Sequence, residues 1–356
     1  MFKSIAISNF KVFDNFKLES LSEMNVITGM NNVGKTALLE ALYLLIGCEN
    51  IGLAVKINTF RGISEFSGDP AKIQEAMWRP LFRNLETGVP ITLSGELSDG
   101  SFLKSIIEVE RAGYLIEPSR NSTGIEPTSP PSIKFGERLL LTFTHHNQTV
   151  KSSLMINLKG ARVQPVPSTP IFPGYFISSY PPLNPQEEAG LFSELDAVGK
   201  SQAILSPLQI LEPKLKRLAV IVSAGIPMIH GDIGLERMVP LPLMGDGLRR
   251  LTKILLAIEN SPGGVVLVDD IEFGIHHSNI TKIWRALIQA SSRSQTQIFA
   301  TTHSYEWIRG LAQIVDESFI PTLNLYRLER HNSQVKPVTY DRESLRSAVK
   351  AELEIR

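Results

Sequence analysis

The chain has 356 residues, with 36 Lys and Arg set against 36 Asp and Glu, and 43% apolar residues. Zero net charge gives no overall attraction to nucleic acid or to an anionic surface, and the apolar content supports either one large α/β domain with an insertion or two domains. Cys48 is the single cysteine, which excludes an intrachain disulfide and a cysteine-bound metal cluster. The first residues lack the apolar run of a signal peptide, and no run approaches the roughly 20 residues of a membrane span. The expectation is a soluble, cytoplasmic protein with no membrane partner.

In chain order, residues 2–10 alternate as a strand with Ile5 and Ile7 on the core side, and a second strand is expected over 13–18. Residues 24–28 (MNVIT) form a short buried strand, and 35–47 (KTALLEALYLLIG) an apolar helix interrupted by Glu40. Residues 73–85 look helical and are broken by Pro80. From Ile91 the pattern turns to hairpins, with strands over 91–97, 102–110, 114–117, 139–144 and 150–158. Residues 118–133 are expected as a long polar loop. His145 and His146 fall in a strand-like stretch, so their side chains are expected to diverge. Residues 186–224 are expected as two or three short helices, followed by a hairpin over 228–233 and 235–241. The remainder alternates: helix 247–259, strand 265–268, helix 280–291, strand 297–300, helix 305–315, strand 323–329 and helix 341–353.

Between the strand over 24–28 and the helix that follows stands Gly29-Met30-Asn31-Asn32-Val33-Gly34-Lys35-Thr36, a G-x-x-x-x-G-K-T loop. Strand, glycine loop and helix in that order bring backbone N–H groups and a helix N-terminus to a polyphosphate. Lys35 is placed to neutralise the β- and γ-phosphates of ATP and the Thr36 hydroxyl to ligate Mg²⁺, with Gly29, Asn31, Asn32, Val33 and Gly34 forming the cradle. Farther on, four apolar residues run into Asp269-Asp270. That strand is expected beside the one feeding the phosphate loop. Asp269 would hold Mg²⁺ opposite Thr36. Asp270, or Glu272 two residues later, would serve as general base. Thr301-Thr302-His303-Ser304 follows a second buried strand, and His303 is placed to meet a γ-phosphate or the attacking water. Gly245-Asp246-Gly247 opens a helix and forms a second anion site, which implies a nucleotide site completed across a dimer.

The set GMNNVGKT, LMGDGLRR, VVLVDDIEFGIHH and ATTHS, in that order, resembles the ATP-binding-cassette ATPases of the SMC type. Within these it looks most like the OLD (overcoming lysogenization defect) relatives that carry AAA-family labels. Ser8-Asn9-Phe10-Lys11 resembles the first strand of that group. The resemblance implies an α/β P-loop NTPase with an ABC/SMC-like head: a mixed sheet core, an antiparallel β subdomain and a helical insertion. It divides the chain into an N-terminal ATPase lobe (1–180), the helical insertion (181–226) and a C-terminal lobe (227–356). It implies that Gly29 to Thr36 is Walker A, Gly245 to Gly247 the signature loop, Asp269 Walker B and His303 the switch histidine. Gly274-Ile275-His276 would lie in the D-loop at a dimer interface.

Two departures carry consequences. The signature lacks its usual leading serine, and Asp270 stands where the family has glutamate. With a base one methylene shorter, either hydrolysis is slow, or Glu272 helps, or the backbone compensates, and slow hydrolysis suits a switch. No sustained heptads lie between the two nucleotide motifs, and no Asp-x-Asp follows His303, so neither a long coiled coil nor a TOPRIM nuclease domain is expected. The implied activity is a slow ATPase that dimerises, or forms higher homo-oligomers, through nucleotide-sandwiched heads. It would act as a switch for a separate effector, a TOPRIM-like nuclease or another toxin effector in antiphage defence. Two other readings stand beside it: a DNA-repair or DNA-end-binding ATPase touching phosphates through Arg249, Arg250, Lys214, Lys216 and Arg217, and a scaffold that assembles on ATP with little hydrolysis.

Overall fold

A computed structural model describes residues 1–62, 70–116, 132–157, 160–167, 170–179, 185–317, 322–332 and 334–356. The strands are β1 (Phe2–Phe10), β2 (Phe13–Leu18), β3 (Met24–Gly29), β4 (Ile91–Leu97), β5 (Phe102–Ile116), β6 (Ser132–His145), β7 (Gln148–Asn157), β8 (Gly160–Gln164) and β9 (Gly174–Ile177). They continue as β10 (Arg217–Ser223), β11 (Ile226–Asp232), β12 (Val239–Pro240), β13 (Val265–Val268), β14 (Gln297–Thr301), β15 (Leu323–His331) and β16 (Gln334–Tyr340). The helices are α1 (Lys35–Ile46), α2 (Leu53–Thr59), α3 (Pro70–Trp78), α4 (Pro185–Ala197), α5 (Gln202–Leu208), α6 (Asp246–Glu259), α7 (Ile280–Ser294), α8 (Tyr305–Ala312) and α9 (Arg342–Lys350).

The core sheet runs β16-β15-β3-β14-β13-β9. Its five strands from β15 to β9 are parallel, and β16 is an antiparallel edge. Alternation along each strand splits the core in two. Ile27, Val265, Leu267 and Phe299 face α1 and the antiparallel β region, while Val26, Val266, Val268 and Ile298 face α6, α7 and α8. This explains why α1 is apolar on nearly every side: it lies between the core sheet and a seven-stranded antiparallel sheet, ordered β2-β1-β4-β5-β6-β7-β8. A third sheet, β10-β11-β12, packs on α4.

The expected strand feeding the phosphate loop is β3, buried at every residue. The strand carrying Asp269, β13, is not its neighbour: β14 lies between them, so the expected adjacency is corrected. Both ends still meet, because all three strands run the same way and terminate level, with Val268 opposite Ala300 and Thr301 opposite Ile27. In β1 the register shifts between Phe2 and Ser4, which buries Phe2 together with Ile5 and Ile7.

Other expectations change with position in the fold. The hairpin expected at 228–241 forms, but the main partner of β11 is β10, within a stretch expected to be helical. The segment 181–226 therefore holds α4 and α5 and then one strand of a hairpin that crosses its boundary. The expected break at 111–113 is absent, since β5 runs from Phe102 through to Ile116. The expected loop at 118–133 lies outside the described residues except for its last two, which begin β6. His145 and His146 do not diverge. His146 turns the chain with φ 45, and the two rings lie against each other with centroids 3.9 Å apart and planes tilted by 48°. Among the described residues no helix is long and apolar enough to cross a membrane.

Gln297, fully buried at the start of β14, ties the two large sheets together. Its Oε1 accepts from the Phe2 N–H at 2.8 Å, and its Nε2 donates to the carbonyls of Phe2 and Ser22 at 2.9 and 2.8 Å. Gln297→Ala leaves these backbone groups unpaired in the core, at a cost of about 2–4 kcal/mol. A lower urea midpoint with an unchanged slope is the expected result.

Candidate active site

The loop after β3 reverses through three left-handed positions, Gly29 (φ 136), Asn32 (φ 61) and Gly34 (φ 117). A Cβ on Gly29 would sit 2.5 Å from the Leu328 carbonyl, and one on Gly34 2.6 Å from Val12, so neither position accepts a side chain. Asn32 is among the residue types that tolerate the left-handed region. Lys35 opens α1, and its Nζ folds back to donate to the carbonyls of Gly29 at 2.6 Å and Met30 at 2.9 Å. Burial pushes this amine down to about 8, against the pull of Asp270, Asp269 and Glu272.

The parallel strands deliver their C-terminal ends to the same place. Thr36 Oγ1 lies 3.1 Å from both carboxylate oxygens of Asp269. Thr301 Oγ1, at the end of β14, donates to Asp269 Oδ1 at 2.7 Å and accepts from the Asp270 N–H at 2.8 Å. Asp269 is 6% exposed, and burial raises its carboxyl pKa while the two threonine hydroxyls oppose the rise. A hydroxyl and a carboxylate converging at a helix N-terminus form a hard oxygen donor set, which fits Mg²⁺.

Asp270 stands in a left-handed conformation (φ 48) that turns its carboxylate out of the strand. His303 Nε2 lies 3.6 Å from its Oδ1. Glu272 accepts from the His303 N–H at 2.7 Å, and its other oxygen is buried without a partner. The structure thus brings Asp270, Glu272 and His303 together around the phosphate loop. A cleft of about 660 Å³ opens there, with Lys11, Val12, Asn31, Asn32, Gly34, Lys35, Thr36, Arg61, Phe82 and His303 in its lining.

Gly245, Asp246 and Gly247 lie elsewhere and do not line this cleft. They open α6 and pack on the turn after Asp270, where a Cβ on Gly247 would sit 2.5 Å from the Gly274 carbonyl.

Three groups escape a motif-based reading. Glu40, fully buried on α1, pairs with Lys11 and with Arg61 at 2.8 Å, so two cations of the cleft hang on one carboxylate. A lone acid in an apolar helix was the available signal. Ser179, just past β9, bonds both Asp269 and Asp270 at 3.3 and 2.8 Å. Arg250 was expected as a phosphate contact for DNA, and that expectation is corrected. It is 6% exposed and donates to the backbone carbonyls of Ser178, at 2.9 Å, and Asp269. Arg249 pairs with the buried Glu188, whereas Lys214, Lys216 and Arg217 are exposed.

Arg250→Met should cost about 2–4 kcal/mol, because it leaves two buried carbonyls unpaired, whereas Lys216→Met should shift stability by less than about 0.5 kcal/mol. Melting temperatures of the two variants check the difference.

Comparison with known proteins bears on the family and the fold. The family described as "AAA domain, putative AbiEii toxin, Type IV TA system" matches residues 24–309. A Helicobacter pylori protein named ATP/GTP phosphatase is 25% identical over 97% of each chain. An uncharacterized Methanocaldococcus jannaschii protein is 41% identical over 16% of this chain and 26% of its own. In three dimensions the fold is similar to that of a Pyrococcus furiosus Smc head domain, solved with an extended coiled coil and bound to the C-terminal domain of ScpA. That match has a TM-score of 0.50 at 10% identity and covers 99% of each chain.

Proposed function

The chain belongs to this AAA-domain family and is an ATPase with an SMC-like head, and from that premise we propose that it is a slow, ATP-driven dimerising switch for a separate effector. The observation that carries the reading is the convergence of Thr36, Asp269, Asp270 and His303 at the mouth of the phosphate loop. In this reading the loop's backbone amides and Lys35 hold the triphosphate. Lys35 exchanges its two carbonyl acceptors for phosphate oxygens. Thr36 and Asp269 hold Mg²⁺, which when bound neutralises charge on the phosphates. Asp270 accepts a proton from the attacking water, His303 faces the same carboxylate and Glu272 fixes the loop that carries His303.

Dimerisation is supported by the exposure of Gly245 and Asp246 in the signature loop, which leaves them open to a second copy. Exposed apolar side chains support it too: Met30 on the phosphate loop, Leu243 just before the signature and Phe273 beside Gly274. The OLD kinship, the effector and the antiphage role rest on motif resemblance. Of the expected DNA-contacting cations, Arg250 is used inside the fold and Arg249 is paired, which favours the switch over a DNA-end binder.

Light scattering with no nucleotide, with ATP–Mg²⁺ and with ADP tests the switch. A dimer or larger ring that forms only with ATP, with slow phosphate release, is expected; assembly regardless of nucleotide overturns it. Lys35→Ala should abolish the ATP-dependent species. Asp270→Asn should keep ATP binding, lose turnover by about a hundredfold or more and prolong the assembled state.

A further inference from the structure

Asp270 is held by its backbone and, separately, by its side chain. The backbone is fixed twice over, by the Thr301 hydroxyl on its N–H and by the Arg250 guanidinium, 3.3 Å from its carbonyl. Neither contact sets the direction of the carboxylate. His303 Nε2, at 3.6 Å, is too far for a hydrogen bond. Among the described residues, the side chain within hydrogen-bond distance of that carboxylate is Ser179, whose Oγ donates to Oδ2 at 2.8 Å. Ser179 reaches it from the neighbouring strand: β9 pairs in parallel with β13, Ile177 opposite Val268, so the chain leaving β9 passes beside Asp269 and Asp270.

We propose that Ser179 is a positioning residue for the water-activating step: its hydroxyl fixes the Asp270 carboxylate in the orientation that receives the proton. The proposal rests on the assignment of Asp270 as base. A short acid on a left-handed residue reaches less far than a glutamate, so a donor on one oxygen matters more, leaving the other on the side of His303. The geometry adds a second property. Ser179 has one hydroxyl hydrogen and two acceptors, Asp270 at 2.8 Å and Asp269 at 3.3 Å. When the Asp269 oxygens are engaged elsewhere, Asp270 is the acceptor that remains, so the base is held most firmly in the loaded site.

Ser179→Ala and Ser179→Thr test this by steady-state ATP hydrolysis, by equilibrium binding of a fluorescent ATP with Mg²⁺, and by melting temperature. Ser179→Ala is expected to lower kcat by about tenfold or more, with KM and nucleotide affinity within about twofold of wild type. Ser179→Thr, which keeps the hydroxyl, should recover kcat to within about threefold of wild type. An unchanged kcat in Ser179→Ala overturns the proposal. So does a loss of nucleotide affinity or of melting temperature parallel to the loss of kcat, which would make the hydroxyl a binding or structural group. Asp270→Asn separates the two levels. If that variant still turns over ATP, the base assignment fails whatever Ser179 does. If it is inactive while Ser179→Ala is unimpaired, only the present inference fails.

Discussion

A carboxylate buried at the end of a parallel strand must be held by donors, and Asp269 is that carboxylate. Thr36, Thr301 and Ser179 supply hydroxyls from three separate segments, and Arg250 holds its backbone carbonyl. The donors come from the first turn of α1, which follows β3, from the ends of β14 and β9, and from the first turns of α6. The parallel order of the core sheet is therefore what makes the site, because antiparallel neighbours would have sent half of these groups to the opposite edge. With burial acting against the charged form of Asp269, the hydroxyls keep this corner a place for negative charge and for a cation to balance it.

The chemistry-bearing loops were legible because their spacing is local. Gly29 to Thr36 declares itself by two glycines, a lysine and a threonine between a strand and a helix, and Asp269-Asp270 by four apolar residues running into two acids. What stayed hidden depends on distant pairing. The strand β9 is short and follows a Pro-rich stretch, so nothing local marks Ser179 as a neighbour of Asp269. The position of β14 between β3 and β13 is a matter of topology, which periodicity does not encode. The strand β10 was hidden for another reason: an apolar run in which solvent-side and core-side residues do not alternate fits helix or strand equally. Its β-branched Val220, Ile221 and Val222 were the discriminating signal. Pro337 similarly masks β16, an edge strand where a missing N–H is tolerated.

Charge shows the same division between local and distant information. Balanced composition gave no reason to look for special cations, yet Arg61 and Lys11 share the buried Glu40, and Arg250 spends its charge on backbone carbonyls. An arginine in a basic-looking helix segment is read from sequence as a surface group. Here one of two adjacent arginines on α6 points inward between two strand ends, and burial lowers its pKa to about 10 against the pull of Asp269, Asp270 and Glu272.

The position of β3 also has a consequence for the order of assembly. Its two neighbours, β14 and β15, lie far along the chain, at Gln297–Thr301 and Leu323–His331, and the tie between Gln297 and Phe2 spans 295 positions. A growing chain therefore carries its phosphate loop and a fully buried strand with no neighbouring strand to receive them until β14 and β15 are made. Contacts of such long sequence separation form slowly and leave apolar edges exposed until they close. The antiparallel sheet and α1 can pack earlier and shelter one side of β3, so the nucleotide-binding half stays unfinished until β14 and β15 arrive beside it.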